Sequence, residues 1–338
     1  MKKKLRVLVL FDAMEPTALD HDMSAQMKTD NRKTEANVLA ALTALGHTAD
    51  HLVIFDDLDL FRQKVEAFKP DVLFNLADQW KNNRGFDQNI VSFLEMQSIP
   101  FTGCGSAGLL LSKHKGISKK ILHYHRIHVP NFVIIPRGKR MTRGRLKFPI
   151  LIKPLKEEAS YGISQKSFVE TDEQFRERVN FIHESWNGDV IAEEYIDGRE
   201  FYVSIMGNLQ LTVFPLRELV FREVPADQPK IATYAAKWDE RYRKRWGLDN
   251  QFAENLDPVV VKKIEETCKR IYRLLTIDNY ARIDLRLNAA NDVYFIEANP
   301  NPILAADEDF ALSAGKAGLT YPELIDRVLR LGMRTVRD

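Results

Sequence analysis

Apolar and polar positions divide the chain into two rhythms. Leu5 to Phe11 (LRVLVLF) is a short, β-branched apolar run closed by acidic and turn-forming residues, the pattern of a strand buried on both faces. Thr34 to Leu45 then sets Val38, Leu39, Leu42 and Leu45 at helical spacing and stops at Gly46, a residue suited to the left-handed end of a helix. The alternation continues with predicted strands at His51–Phe55, Val72–Asn75 and Ile99–Thr102 and helices around Leu60–Phe68 and Gln88–Met96. Such an order predicts a parallel α/β layer up to about Leu122.

After His128 the strands crowd together. Asn131–Ile135, Phe148–Lys153, Val190–Tyr195, Phe201–Met206 and Leu209–Phe214 read as strands with few helices between them, and Gly207-Asn208 stands where a tight hairpin turn belongs. This half is therefore expected to be α+β. Asp257-Pro258 opens a helix whose apolar stripe is Val260, Ile264, Cys268, Ile271 and Leu275, and Thr320 to Glu323 forms a capping box for a last helix through Leu331. Arg222 to Asn255 is polar and reads as a long functional excursion. The expected division is an N-terminal α/β domain over 1–122, a central subdomain over 123–215 and a C-terminal subdomain over 216–338.

Composition narrows the function classes. With 49 Lys+Arg against 47 Asp+Glu, the net charge of +2 gives no general reason to hold nucleic acid or an anionic membrane, and neither is expected as a partner. Cys104 and Cys268 form neither a disulfide framework nor a zinc-knuckle spacing, which suits a reducing compartment. The opening Met-Lys-Lys-Lys resembles a signal-peptide start, but the apolar run behind it carries Arg6 and ends at Asp12. No stretch approaches the roughly 20 apolar residues that span a bilayer. A soluble cytoplasmic protein is expected.

The chemistry concentrates near the C-terminus. Tyr280 to Asn301 reads as two strands around a turn at Ala289–Asp292, so that 284 pairs with 297 and 282 with 299. Arg282, Asp284, Glu297 and Asn299 then share one face, with Ile283, Leu285, Ile296 and Ala298 on the other. Two opposed carboxylates repel unless a cation lies between them, and oxygen ligands with an amide suit magnesium holding a substrate phosphate. Arg282 would face that phosphate. A solvated hairpin face with an Arg-Asp-Glu cluster is the competing reading.

Phe148 to Pro154 delivers Lys153 at a strand exit beside the small polar loop Lys156–Ile163, which contains Ser160 and Gly162, an arrangement able to reach and cover phosphate. The P-loop pattern is absent. Ile191 to Phe201 carries Glu193, Glu194 and Glu200, natural acceptors for an adenine amino group or ribose hydroxyls, or else ordinary edge-strand charges. Gly103-Cys-Gly-Ser-Ala-Gly108 matches the dinucleotide fingerprint literally, yet no acidic residue follows at the ribose-reading distance, so a tight turn with close helix packing is expected. His114, His123, His125 and His128 lack cysteine or carboxylate partners, and Cys104 lacks a base; neither is read as a site.

Four blocks in order, IPFTGCGSAGLLLSKHKGISKKIL, FPILIKPLKEEASYGIS, IAEEYIDGREF and ARIDLRL followed by VYFIEANPNP, resemble the ATP-grasp superfamily, and within it the D-alanine–D-alanine ligase group. The resemblance runs from about Lys69 to Leu331. It implies an ATP-grasp fold behind a parallel α/β domain, with ATP and Mg2+ (or Mn2+) as cofactors and the nucleotide between the last two subdomains. It further implies that Lys115 and Lys153 contact the phosphates under the Ser160–Gly162 loop, that Glu193, Glu194, Tyr195 and Ile196 hold adenine, and that Glu200 holds ribose. Asp284, Glu297 and Asn299 resemble the family's metal ligands, Arg282 the residue that stabilises the acyl-phosphate, and Lys237 a lysine that approaches the γ-phosphate.

The chain departs from the group where substrates are held. Asn299 is followed by Pro-Asn-Pro-Ile-Leu-Ala rather than the group's Thr-x-Pro-Gly, and the N-terminal strand leads into FDAMEPTALDHDMSAQMKTDNRKTE rather than a glycine-rich turn with its glutamate. The expectation is an ADP-forming carboxylate–amine ligase acting on amino acid or peptide substrates other than D-alanine, with a homodimer by analogy. The alternatives are an authentic D-alanine–D-alanine ligase, a phosphotransferase acting on a hydroxyl, and a nucleotide-binding protein without turnover.

Overall fold

The computed structural model describes residues 3–19, 23, 25–157, 160–225 and 228–334. Chain order begins with β1 (Arg6–Asp12), α1 (Lys33–Ala44), β2 (Thr48–Ile54), α2 (Leu58–Phe68), β3 (Val72–Asn75), α3 (Asp87–Met96), α4 (Ser106–Lys113) and α5 (Lys115–Tyr124). The three strands pair in parallel in the order β2-β1-β3, as the alternating pattern predicts. Ile99–Thr102 is not a strand of that sheet. Its Phe101 makes a single parallel bridge to Leu73, because Pro100 removes a donor and Gly103 turns the chain away at a positive φ of 96°.

The second part contains β4 (Phe132–Ile135), β5 (Ile150–Pro154), β6 (Phe168–Val169), α6 (Asp172–Ser185) and β7 (Val190–Glu194). These strands form an antiparallel sheet ordered β4-β7-β5-β6, called here the small sheet. Then follow β8 (Arg199–Met206), β9 (Thr212–Val213), β10 (Arg217–Phe221), α7 (Tyr234–Trp238), α8 (Glu240–Arg245), β11 (Leu248–Phe252), α9 (Pro258–Leu274), β12 (Tyr280–Leu287), β13 (Val293–Pro300), α10 (Asp309–Lys316) and α11 (Tyr321–Arg334). Their strands form the large sheet, ordered β11-β10-β8-β12-β13 with β9 on β8.

Three expectations change here. The expected boundary at 215 falls inside the large sheet, which begins at Arg199. Leu209–Phe214 contributes only Thr212 and Val213, since Ile205 and Met206 pair with Val213 and Thr212 and leave a wider loop at Gly207–Leu211 instead of a two-residue turn. The excursion Arg222–Asn255 contains α7, α8 and β11; its Ala226 and Asp227 lie outside the described residues.

Each sheet buries one face under helices. Ile150, Ile152, Val190 and Ala192 of the small sheet pack on Phe175, Val179 and Ile182 of α6. Val203, Ile205, Ile283 and Leu285 of the large sheet pack on Val260, Ile264, Cys268 and Ile271 of α9, which realises the stripe expected for that helix. Asp257 caps α9 by accepting from the Val259 amide at 2.7 Å. The alternate residues, Lys153 and Glu193 on one sheet and Glu200, Tyr202, Arg282 and Asp284 on the other, occupy the faces left free of those helices.

The last helix closes the first domain. Val7, Val9 and Phe11 of β1 share a cluster with Val38 and Leu42 of α1 and with Leu324, Val328 and Leu329 of α11, while Leu8 and Leu10 pack with Phe61, Ile90 and Leu94 on the opposite face. The capping box opening α11 is present, with Thr320 N donating to Glu323 Oε2 at 2.8 Å and Glu323 N to Thr320 Oγ1 at 3.4 Å.

Candidate active site

A cleft lies between the two sheets, lined from one side by Leu151, Lys153 and Glu193 and from the other by Glu200, Asp284, Arg286 and Glu297. Its shape follows from the β12–β13 hairpin. Near the turn Leu287 pairs with Val293 and Leu285 with Phe295, so the turn spans Asn288–Asp292, one residue longer than expected. A bulge between Asp284 and Leu285 absorbs the difference, leaving Ile296 unpaired. Beyond it the expected register returns, with Asp284 opposite Glu297 and Arg282 opposite Asn299. The bulge also turns Ile296 into the lining of the cleft, where strict alternation had placed it on the apolar face.

The carboxylates on this hairpin differ in their partners. Asp284 accepts from Arg282 Nε at 2.8 Å, from Arg282 Nη2 at 3.0 Å and from Asn299 Nδ2 at 3.2 Å. Burial nevertheless pushes its carboxyl up to about 6, with the Glu297 charge adding to the rise and Arg282 opposing it. Glu297 stands 3.8 Å from Lys115 Nζ and 4.0 Å from Lys237 Nζ. Burial works against its charge, but Lys115, Lys237 and Lys153 outweigh that and hold it well below the usual carboxylate range. Oxygen donors from Asp284, Glu297 and Asn299 fit a hard divalent cation. Among the described residues no three histidine, cysteine or carboxylate side chains gather as metal ligands; this set has two carboxylates and an amide.

The small sheet brings cations. Lys153 Nζ bonds Glu193 Oε2 at 2.9 Å, and Lys115, at the start of α5, donates to the Glu157 carbonyl. Ser160, at φ 62°, donates through Oγ to the Ala232 carbonyl at 2.7 Å, and Tyr234 N donates to Ile163 O at 3.0 Å, so the loop is strapped to the segment before α7. Gly162 is required on packing grounds, because at its φ of 71° a Cβ would lie 2.6 Å from Pro154 Cγ. Glu158 and Ala159 of that loop lie outside the described residues.

The residues expected at the adenine end are placed unequally. The Glu193 carboxylate is buried between Lys153 and Lys119, so its side chain serves the lysines rather than standing free as an acceptor. Glu194 accepts from Lys147 N at 2.7 Å and Asn131 Nδ2 at 2.9 Å. Tyr195 and Ile196 line the cleft. Glu200 is bound by Arg286 at 2.7 and 3.1 Å and by the Tyr202 hydroxyl at 3.2 Å. Lys119 and Arg286 escaped sequence reasoning. Lys119 lies one helical turn after Lys115 and Arg286 continues the alternation of Arg282 and Asp284, but their partners Glu193 and Glu200 come from distant segments, so their roles were not readable from the faces alone.

A family model described as D-ala D-ala ligase C-terminus matches residues 121–330. The chain belongs to this family. It is an ATP-grasp enzyme of the ligase class, in the D-alanine–D-alanine ligase group. Among its relatives are an uncharacterised protein, y4sG, of Sinorhizobium fredii, 29% identical over 88% of this chain and 87% of its own, and a D-alanine–D-alanine ligase of Carboxydothermus hydrogenoformans, 26% identical over 82% and 86%. The crystal structure of the D-alanine–D-alanine ligase of Bacillus anthracis complexed with ATP superposes with a TM-score of 0.74 at 20% identity, covering 98% of each chain. That likeness carries the ligase-group fold through the N-terminal domain, which the family model leaves out.

The signals set aside earlier take structural roles. In the Gly103–Gly108 turn the amide of Gly103 donates to Asn279, that of Cys104 to Asn301 and that of Gly105 to Asp278, so they are consumed by side chains. A Cβ on Gly108 would lie 2.4 Å from Cys104 Sγ and 2.7 Å from Thr276 O, the expected close packing. His114 caps α5 by accepting from Ile117 N at 3.2 Å. Among the described residues no helix is long and apolar enough to cross a membrane.

Proposed function

We propose that the protein joins a carboxylate to an amine at the expense of ATP, through an acyl-phosphate. A carboxylate oxygen of the first substrate attacks the γ-phosphorus and ADP leaves; the amine of the second then attacks the acyl carbon and phosphate leaves. Both steps ask for charge neutralisation and alignment. Lys115, Lys153 and Lys237 would hold the phosphates, with the loop through Ser160 and Gly162 above them. The adenosine end would lie against Glu194, Tyr195, Ile196 and Glu200, with Glu193 steering Lys153. Asp284, Glu297 and Asn299 would hold the divalent cation, Mg2+ or Mn2+, which when bound supplies Lewis-acid polarisation of the phosphates. Arg282, which donates to the cleft-lining Asp284, would meet the negative charge of the transferring group.

The observation that carries this reading is the convergence on Glu297 of lysines from α5 and α7, opposite Asp284, in one cleft. A cleft lined by nearly balanced ions suits a ligand carrying its own charge and metal. The substrates belong to the amino acid or peptide class. The relatives include D-alanine–D-alanine ligases and a vancomycin B-type resistance protein, VanB, of Enterococcus faecalis, and the segments after Asn299 and β1 differ from the D-alanine–D-alanine ligase pattern, so a different acid or amine is proposed.

The test incubates the protein with Mg-ATP and a panel of D- and L-amino acids and dipeptides, measuring ADP and phosphate release with product mass. Release that requires both an acid and an amine, with a product lighter by one water than its parts, is expected. ADP release with a hydroxyl acceptor alone would replace this reading by phosphotransfer, and a D-alanyl-D-alanine product would replace the proposed substrate.

A further inference from the structure

Lys119 is a fully buried lysine whose ammonium has three neighbours. It lies 3.2 Å from Glu193 Oε1, 2.5 Å from the Ile296 carbonyl oxygen and 5.0 Å from the centre of the Phe295 ring. The second oxygen of Glu193 is held by Lys153 at 2.9 Å. Glu193 therefore lies between two ammonium groups, accepting a hydrogen bond from Lys153 at Oε2 and standing in ion-pair contact with Lys119 at Oε1, an atom with no hydrogen-bond partner among the described residues. Lys119 touches both walls of the cleft: the small sheet through Glu193 and the large sheet through the bulged residue next to Glu297. Isolated buried charges are costly, so a lysine this deep persists only if its partners compensate it. Burial pushes its ammonium down to about 8, while Glu193, despite its own burial, is kept ionised by Lys119 and Lys153.

We propose that Lys119 is a positioning residue for nucleotide binding: by engaging half of Glu193 it keeps that carboxylate from capturing Lys153, and so leaves Lys153 with charge to offer a phosphate. The charge arithmetic gives a sign. Lys119, Glu193 and Lys153 together carry one net positive charge. Removing the Lys119 ammonium leaves Glu193 and Lys153 as a closed neutral pair. Removing Glu193 as well restores one positive charge on Lys153. Lys119 itself touches no nucleotide in this account; it acts through Glu193 and through the Ile296 carbonyl that orients the strand carrying Glu297.

The inference rests on the ATP-binding reading above, and the experiment separates the two. Binding of a non-hydrolysable Mg-ATP analogue is measured by calorimetry on wild type, Lys119→Met and Lys119→Met/Glu193→Gln, with folding checked by circular dichroism. Methionine keeps the length of the lysine stem. The single variant should bind at least about tenfold more weakly, and the double variant should recover most of that loss although it carries two core changes. A Lys119→Met protein that binds as wild type overturns the proposal. So does a double variant weaker than the single one, which is what a residue that only holds the fold together would produce. If Lys119→Met does not fold, the double variant against Glu193→Gln decides: near-equal affinities support the proposal, and a further tenfold loss overturns it. Wild type that binds no nucleotide would sink the ligase reading itself, and this inference with it.

Discussion

The two walls of the cleft each set a glutamate among lysines, buried on the small sheet and half-buried on the large one, and they treat it in opposite ways. On the small sheet Glu193 is closed off by Lys119 and Lys153 at 3.2 and 2.9 Å. On the large sheet Glu297 has lysines of its own, but at 3.8 and 4.0 Å, beyond hydrogen-bonding distance. A carboxylate enclosed by two ammonium groups, hydrogen-bonded to one of them and in ion-pair contact with the other, is scaffolding for cations. One kept ionised by lysines that stop short of it is available to something else, and the Asp284 opposite makes a divalent cation the natural occupant.

Substitutions on the two walls should therefore separate catalysis from stability. Glu297→Gln is expected to lower kcat by about 10³-fold or more while the melting temperature changes little, as measured by ADP release and calorimetry. A variant with near-wild-type turnover would break the contrast. Glu193→Gln should act first on the fold, since it strands two buried ammonium groups; a loss of about 3 kcal/mol in urea unfolding is expected. Arg286→Gln, which leaves Glu200 buried with the Tyr202 hydroxyl as a remaining donor, should cost somewhat less, about 2 kcal/mol, and raise KM for ATP more than it lowers kcat.

The smallest effect lies away from the cleft walls. Partial desolvation where Asp78 faces Asp12, together with the Asp12 charge, pushes the Asp78 carboxyl from 3.8 up to about 6. A carboxyl raised on folding favours the folded state when protonated, so its contribution is present near pH 4 and lost as pH rises through about 6. The side chain is still 60% exposed, which screens the effect. Asp78→Asn should melt about 1–2 °C above wild type at pH 7, with the gap closing at pH 4; a gap that widens on acidification would reverse the assignment.

What the sequence disclosed follows from the range of the forces involved. β1, α1 and α9 were legible because their apolar spacing is local and answers to a single buried face. The pairing of Asp284 with Glu297 was legible although the turn length was not, since a five-residue turn and the bulge at Ile296 offset each other. The roles around Glu193 and Glu200 were not legible: their partners, Lys119 and Arg286, come from distant segments, and only the folded chain brings them together. The division at 215 failed for a related reason, because β8 reads like its small-sheet neighbours but hydrogen-bonds with β12, far along the chain.

The return of α11 to β1 has a temporal meaning. α1 follows β1 closely, but the other half of the covering on that face comes from residues about three hundred positions later, so during synthesis the face is held by α1 alone until α11 has been made. A nascent chain halted shortly before Thr320 should consequently leave Val7, Val9 and Phe11 covered by α1 alone and partly open to a chaperone.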